Sequence, residues 1–270
     1  MEIFNNTATN AGGLFLYQGS ASLYGNTIIS NTSTNIAGGV YLFSTSATLT
    51  RNRIAGNSAN TIGGGIDVAS CSPTFDSNII TGNAAGKGGG VYLWYSHSIL
   101  TNSVIADNQA GISGSGLWTG GSQPRLLQTT IARNTGGDGS GVFVSDAGST
   151  HSTLAMSNTI LVKHTVGVSV TAGSTAILDG VLWHSTPITV SQVAATVMVQ
   201  NQHIGNPLFK VDGYHLTSGS AARDKGVSAG VYSDIDGQPR PSELPDFGAD
   251  EYWPPGSLKY VYLPVIFRNH

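Results

Sequence analysis

The sequence predicts an all-β fold: a right-handed, single-stranded parallel β-helix with three short strands in each coil of about 25–26 residues and an irregular C-terminal cap. Three observations carry this reading. A glycine doublet or its G-S-G variant, followed by an aliphatic, an outward-pointing residue and usually a second aliphatic, recurs as G-G-L-F-L at 12–16, G-G-V-Y-L at 38–42, G-G-I-D-V at 64–68, G-G-V-Y-L at 89–93, S-G-L-W-T at 115–119 and S-G-V-F-V at 140–144. The second glycines, Gly13, Gly39, Gly65, Gly90, Gly116, Gly141 and Gly167, are spaced by 26, 26, 25, 26, 25 and 26 residues. Each repeat holds three short apolar segments that alternate with period two, as in Val40-Tyr41-Leu42 and Ala47-Thr48-Leu49, and none has room for a helix of ordinary length. Such coils stack at about 4.8 Å and depend on one another, because no coil can satisfy its own edges.

In chain order, the first strand of each coil follows the glycine mark. The second is centred on Leu23, Leu49, Phe75, Leu100 and Leu126, and the third on Ile28, Ile54, Ile80, Ile105 and Ile131. The isoleucines should form one internal column. Three residues after them come Asn31, Asn57, Asn83, Asn108 and Asn134. Asparagine tolerates the left-handed backbone of a tight turn, and stacked amides bond from coil to coil, so a structural ladder is expected. The N-terminal text Ile3-Phe4-Asn5-Asn6-Thr7 matches Ile28-Ile29-Ser30-Asn31-Thr32 at a displacement of 25 residues, which places the first residues in mid-coil and suggests a fragment or a late start. The single cysteine, Cys71, excludes an intrachain disulfide framework and shares parity with Pro73 and Phe75, as an inward filler would.

After Gly141 the phase loosens. Asn158-Thr159-Ile160 repeats third-strand text 29 residues after Ile131, implying a longer turn around Ser149 to Ser152. Alternating strands then continue through Val168 and Val170, Ile177 and Leu178, Val181 and Leu182, Ile188 and Val190, and Val197 and Val199. The coils thus occupy 1–204, a closing region 205–252, and an apolar tail 253–270.

The outward positions of the first strand carry the functional interest. One line reads Phe15, Tyr41, Asp67, Tyr92, Trp118, Phe143, Ser169, and the line beside it Tyr17, Phe43, Ala69, Trp94, Gly120, Ser145, Thr171. A stripe of aromatics with hydroxyls and Asp67 suits sugar rings. The same rings could instead stack merely to support a parallel sheet or lie under a loop. Phe15, Tyr17, Tyr41, Phe43, Asp67, Tyr92, Trp94, Trp118 and Phe143 are therefore the candidate glycan contacts.

Charged residues make up 10% of the chain, with a formal net charge of −3 and no Lys or Arg cluster, which argues against nucleic acid as a partner. No apolar run reaches the ~20 residues of a membrane span. Oligomeric state is not encoded in any motif. Low charge with many Gly, Asn, Ser and Thr is typical of an extracellular solenoid.

From Gly205 the text changes to N-P-L-F at 206–209, G-Y-H-L at 213–216, S-G-S-A-A-R-D-K-G at 218–226, D-I-D-G-Q-P-R-P at 234–241 and D-F-G-A-D-E-Y at 246–252. This region resembles bacterial surface and secreted β-helix proteins of the choice-of-anchor Q kind, related to the pectate-lyase-like superfamily, in which a D-P-L-F, D-Y-H-L, S-P-A-I-D-x-G, D-x-D-G-x-x-R-P, D-x-G-A-x-E series closes the helix. Asn206 stands where Asp is commoner, and Ala222-Arg223 replace Ala-Ile. The resemblance implies a β-helix and a secreted or cell-surface location, and no established activity. The tail from Lys259 to His270 looks like the short Y-L-P-hydrophobic-R-N ends of exported proteins in some filamentous bacteria; it reads as a sorting signal or as a final strand over the solenoid's end.

Two function classes follow. The first is a non-enzymatic structural or adhesion module that binds polysaccharide or cell-surface glycan. The alternative is a polysaccharide-active lyase or glycoside hydrolase, which needs clustered carboxylates for calcium with a basic residue, or paired carboxylates for hydrolysis. Asp67 and Asp146 lie three coils apart, about 14 Å of stacking, which exceeds hydrolase spacing. Lys87, Arg125 and Arg133 fall on other segments, so no catalytic residue is assigned. Asp234 and Asp236 open like a calcium loop but lack its terminal glutamate, and Asp246, Asp250 and Glu251 could complete a site in space. No other cofactor is expected.

Overall fold

The computed structural model describes residues 1–257, and they form a parallel β-helix followed by a strandless closing region. Lys259 to His270, and with them the expectation of a sorting signal or covering strand, lie outside the described residues. All 25 inter-strand ladders, from Glu2↔Thr27 to Trp183↔Ile204, are parallel. Among the described residues no helix is formed, so none is long and apolar enough to cross a membrane.

The first-strand segments build an eight-stranded sheet running from Leu14–Tyr17 to Ile188–Gln192. The second and third segments, separated by a short bend, belong to one 14-stranded sheet because Thr153–Val162 pairs with both Arg125–Leu127 and Thr130–Ala132. Within this bend Arg51, Ser77 and Asn102 take left-handed backbone. In the last coils the two segments fuse into single strands, Thr153–Val162, Thr175–His184 and Thr196–Ile204. A further strand follows the Asn turn in the earlier coils, such as Thr32–Ile36 and Ala84–Lys87, and these form a six-stranded sheet. The closing turns had no apolar alternation to announce them.

Ile28, Ile54, Ile80, Ile105 and Ile131 are fully buried and paired in register, as expected. The next member of the column is Leu161, not Ile160: Ile131 pairs with Leu161 and Ile160 with Thr130. The longer turn near Ser149 adds one residue more than the matching text implied, which flips Ile160 to the outer surface. Cys71 is half-buried against the core, with its Sγ 3.5 Å from the Leu42 carbonyl oxygen.

The glycine mark has a steric cause. A Cβ on Gly65 would lie 2.6 Å from the Gly90 carbonyl oxygen, 2.9 Å from Asn83 Nδ2 and 3.0 Å from Ile80 Cγ2. The second glycine therefore lets the chain pass against the isoleucine column and the asparagine ladder together. In that ladder the Asn83 side-chain oxygen accepts from both the backbone N–H and Nδ2 of Asn57, at 2.9 and 3.0 Å, while Asn83 Nδ2 donates to Asn108 Oδ1 and to the Ile54 carbonyl. The same pattern runs from Asn6 to Asn134, where Asn134 Nδ2 meets His164 Nε2 at 3.3 Å. His164 has its pKa pushed down to about 4 by burial and, secondarily, by the Arg133 charge, so it sits in the ladder as neutral imidazole. A second, shorter ladder through Asn26, Asn52 and Asn78 lines the neighbouring bend. Replacing Asn83 by Ala removes an acceptor from two buried donors of Asn57 and a donor from the Ile54 carbonyl. A loss of about 3 kcal/mol is expected from groups left unpaired at about 1 kcal/mol or more each. Urea unfolding checks this, and a change under about 1 kcal/mol would show that water or a neighbour replaces the amide.

The closing region from residue 205 lies along the flank of the solenoid. Leu216, Ala222, Ile235, Phe247 and Ala249 form a second core with Val104, Ala106, Ala132, Ile160, Val162 and Leu182, which are the outward residues of the third strands. Polar clamps fix it there. Arg240 is buried and donates to the Gly248 and Ala249 carbonyls and to Glu251, and Arg133 bridges Asp107 and the Gly213 carbonyl.

Candidate functional site

The register places the candidate contacts in the expected lines: Phe15, Tyr41, Asp67, Tyr92, Trp118 and Phe143 are consecutive partners, as are Tyr17, Phe43, Ala69, Trp94, Gly120 and Ser145. The rings stack from coil to coil. Centroids lie 5.0 Å apart for Phe15 and Tyr41, 5.5 Å for Tyr17 and Phe43, 4.5 Å for Tyr92 and Trp118, and 6.4 Å for Trp118 and Phe143, with planes within 14° of parallel. Trp94 packs beside Tyr92 and Trp118 and against the edge of Tyr95.

The stripe is not exposed along its whole length, and this corrects the reading of an open ridge. Asp67 is 1% exposed, Trp118 3%, and Tyr92 is also buried. Neighbours in the stack bury these rungs: Tyr92 and Trp118 lie 4.5 Å apart, Trp94 packs beside both, Phe143 follows Trp118 at 6.4 Å, and Asp67 is held in register between Tyr41 and Tyr92. Lys87 adds its ammonium 5.5 Å from the Trp118 ring centroid. The rungs that reach solvent are Phe15 and Tyr17, about half exposed, with Tyr41, Phe43, Trp94 and Phe143 partly exposed.

Asp67 interrupts the ladder. With Ala69 beside it, no ring in that coil joins the Phe15–Tyr41 and Tyr17–Phe43 group to the Tyr92–Trp118 group. No hydrogen bond reaches its Oδ1, and burial pushes its pKa up to about 7. The Tyr41 and Tyr92 phenols are raised as well, first by burial and then by the Asp67 charge.

A second cluster lies in the closing region. His215 Nδ1 is 2.7 Å from Asp212 Oδ2, and His215 Nε2 is 2.8 Å from Asp236 Oδ2 and 4.0 Å from Asp250 Oδ1. Asp212 is held by two backbone bonds, from the N–H groups of Tyr214 and His215 to its Oδ1. Burial acts to lower the His215 pKa, but the hydrogen bonds to Asp212 and Asp236 and the Asp250 charge outweigh it and raise the group. Asp250 is pushed up to about 6, by burial first and by its carboxylate neighbours Asp234 and Asp236 after it, against the pull of the Leu216 N–H and His215.

The expected calcium pair does not converge: Asp236 joins His215, whereas Asp234 is spent on the backbone N–H groups of Asp236, Gln238 and Glu251. Asp246 likewise accepts from Asp224 and Tyr252, and Glu251 accepts from Arg240 and Asp246. Of the three carboxylates considered with that pair, only Asp250 faces the cluster. His215 escaped sequence reasoning because its partners stand 21 and 35 positions away and no spacing rule links them; the adjacent Asp212 was the available signal.

Comparisons with known proteins bear on the fold. A search of curated proteins finds no match. A solved structure titled pectate lyase Pel9A aligns over 84% of this chain and 73% of that one, at 12% identity and a TM-score of 0.38. A family model described as a right handed beta helix region matches residues 12–181. That match spans the glycine-marked coils and the inward columns described above, and the chain belongs to the right-handed β-helix family.

Proposed function

We propose that the chain is a non-catalytic, extracellular β-helix module that contacts polysaccharide through the solvent-reaching rungs of its aromatic ladder. The observation that carries this reading is the two-wide set of Phe15, Tyr17, Tyr41 and Phe43, whose rings stack in two columns at 5.0 and 5.5 Å between coils, each column holding one phenol. Repeated amphipathic rings suit a ligand with its own repeat, since each ring offers an apolar surface and each hydroxyl a hydrogen bond. Trp94 and Phe143 give a second solvent-reaching patch on the same face beyond the Asp67–Ala69 coil, packed against the buried Tyr92 and Trp118. The extracellular placement rests on the low charge, the Gly, Asn, Ser and Thr turns and the resemblance of the closing region to surface and secreted proteins.

The test uses residues that reach solvent. Tyr17→Ala with Phe43→Ala removes one stacked pair and should cost the fold only about 1 kcal/mol. Co-sedimentation with insoluble cell-wall polysaccharides should show the parent retained and the double variant reduced at least tenfold, with a Tm within a few degrees. If the parent sediments with no polysaccharide in the panel, the glycan reading fails. If the double variant unfolds, these rings serve the sheet.

A further inference from the structure

We propose that His215, Asp236 and Asp250 form a divalent metal site of the zinc type, with Asp212 as the group that orients the imidazole. One ligand atom from each of the three lies within 4.8 Å of the others, on the wall of a cavity of about 150 Å³ that Lys210 and Trp253 also line. This site is separate from the aromatic ladder and does not depend on the glycan reading.

The separations suit a small ion. Four ligands at about 2.0–2.1 Å in a tetrahedron stand roughly 3.3 Å apart. His215 Nε2 is 2.8 Å from Asp236 Oδ2 and 4.0 Å from Asp250 Oδ1, so the present positions bracket that value. Asp236 is the exposed member, free to withdraw by a rotamer adjustment, while Asp250 is fixed: its side chain is 4% exposed and its Oδ2 accepts from the Leu216 N–H at 2.6 Å. Its Oδ1 stands 4.0 Å from His215 Nε2 on the wall of the cavity, where it is open to a ligand.

Asp212 supplies the carboxylate that would orient a coordinating imidazole. It accepts from His215 Nδ1 and fixes the plane of the ring, so a metal would take Nε2 in place of the 2.8 Å hydrogen bond that Nε2 makes to Asp236 Oδ2. Its other oxygen is tied to the Tyr214 and His215 N–H groups, so the orienting carboxylate is itself held. One imidazole nitrogen with two carboxylates favours a first-row divalent ion such as zinc over calcium, which takes six to eight oxygens. Three protein ligands leave the fourth position for water.

The test is a calorimetric zinc titration of the chelator-stripped chain at pH 7.5. The parent should bind one zinc per chain and gain thermal stability. Asp236→Asn, a change at an exposed side chain, should weaken binding at least tenfold while the zinc-free Tm falls by no more than the few degrees that loss of a surface ion pair to His215 costs. Asp212→Asn keeps an oxygen for the two backbone N–H groups and should weaken binding 10- to 100-fold. Three results would overturn the proposal: no saturable zinc binding by the parent, parent-like binding by Asp236→Asn, or displacement of zinc by equimolar calcium.

Discussion

Replacing Ile80 by Asp should abolish folding of the central coils. Ile80 is fully buried, paired with Ile54 on one side and Ile105 on the other, and packed against Gly65. The carboxylate would enter a column with no donor in it, since the nearby amides of Asn57, Asn83 and Asn108 already bond to one another. An acid forced into such surroundings is harder to ionise by about 4–7 kcal/mol, before the lost burial of the isoleucine is added. That approaches the whole stability of an ordinary domain. The damage spreads because each coil is held by the ladders above and below it. Ile80→Val, which only opens a methyl-sized space, should cost about 1 kcal/mol. Thermal melts of the two variants check this: an Ile80→Asp protein that keeps the parent Tm would mean that the isoleucine column does not face inward.

The columns were legible because a solenoid writes the same constraint at every turn. Gly, Leu and Ile recur at fixed phase, and each recurrence tests the one before it. Where the constraint is met differently the sequence misleads. Ile160 sits in text that copies the third strand, yet Leu161 takes the inward place, because the preceding turn added a residue that no motif counts. The outer face of the third strands also changes character along the chain, from Arg53 and Ile29 to Val104, Ala106, Ala132, Ile160 and Val162. Apolar residues at both parities were the available sign that something covers these coils, and the closing region does so. The aromatic lines were legible in register and not in exposure. Alternation tells which side of a strand a residue takes, but exposure depends on what stacks around it: Phe15 begins its column and stays half exposed, whereas Trp118 lies between Tyr92 and Phe143 with Trp94 alongside. The His215 cluster brings together residues from three separate motifs of the irregular region, which only the folded backbone can do.

Asp67 offers the sharpest pH signature in the molecule. Its pKa rises from an ordinary 3.8 to about 7 through burial, so between those values the folded chain holds a proton that the unfolded chain releases. Stability therefore falls as pH rises through this window: the carboxyl is neutral in both states below about pH 4, and above about pH 7 the fold must contain a charge without a hydrogen-bond partner at Oδ1. A rise of that size corresponds to about 4 kcal/mol. Asp67→Asn keeps the shape and removes the titration. At pH 4.5 the variant should equal the parent or fall below it by about 1–3 kcal/mol, because the new amide N–H groups also lack partners. From there to pH 8.5 the difference should move by about 3 kcal/mol in favour of the variant, the rest of the shift lying below pH 4.5. Asp250 and the other raised groups titrate in both proteins and cancel from the comparison. Urea unfolding of the pair at four pH values reads the effect directly. A difference that stays constant across them would mean that the Asp67 carboxyl is solvated, and that the ladder between Tyr41 and Tyr92 is open at this coil.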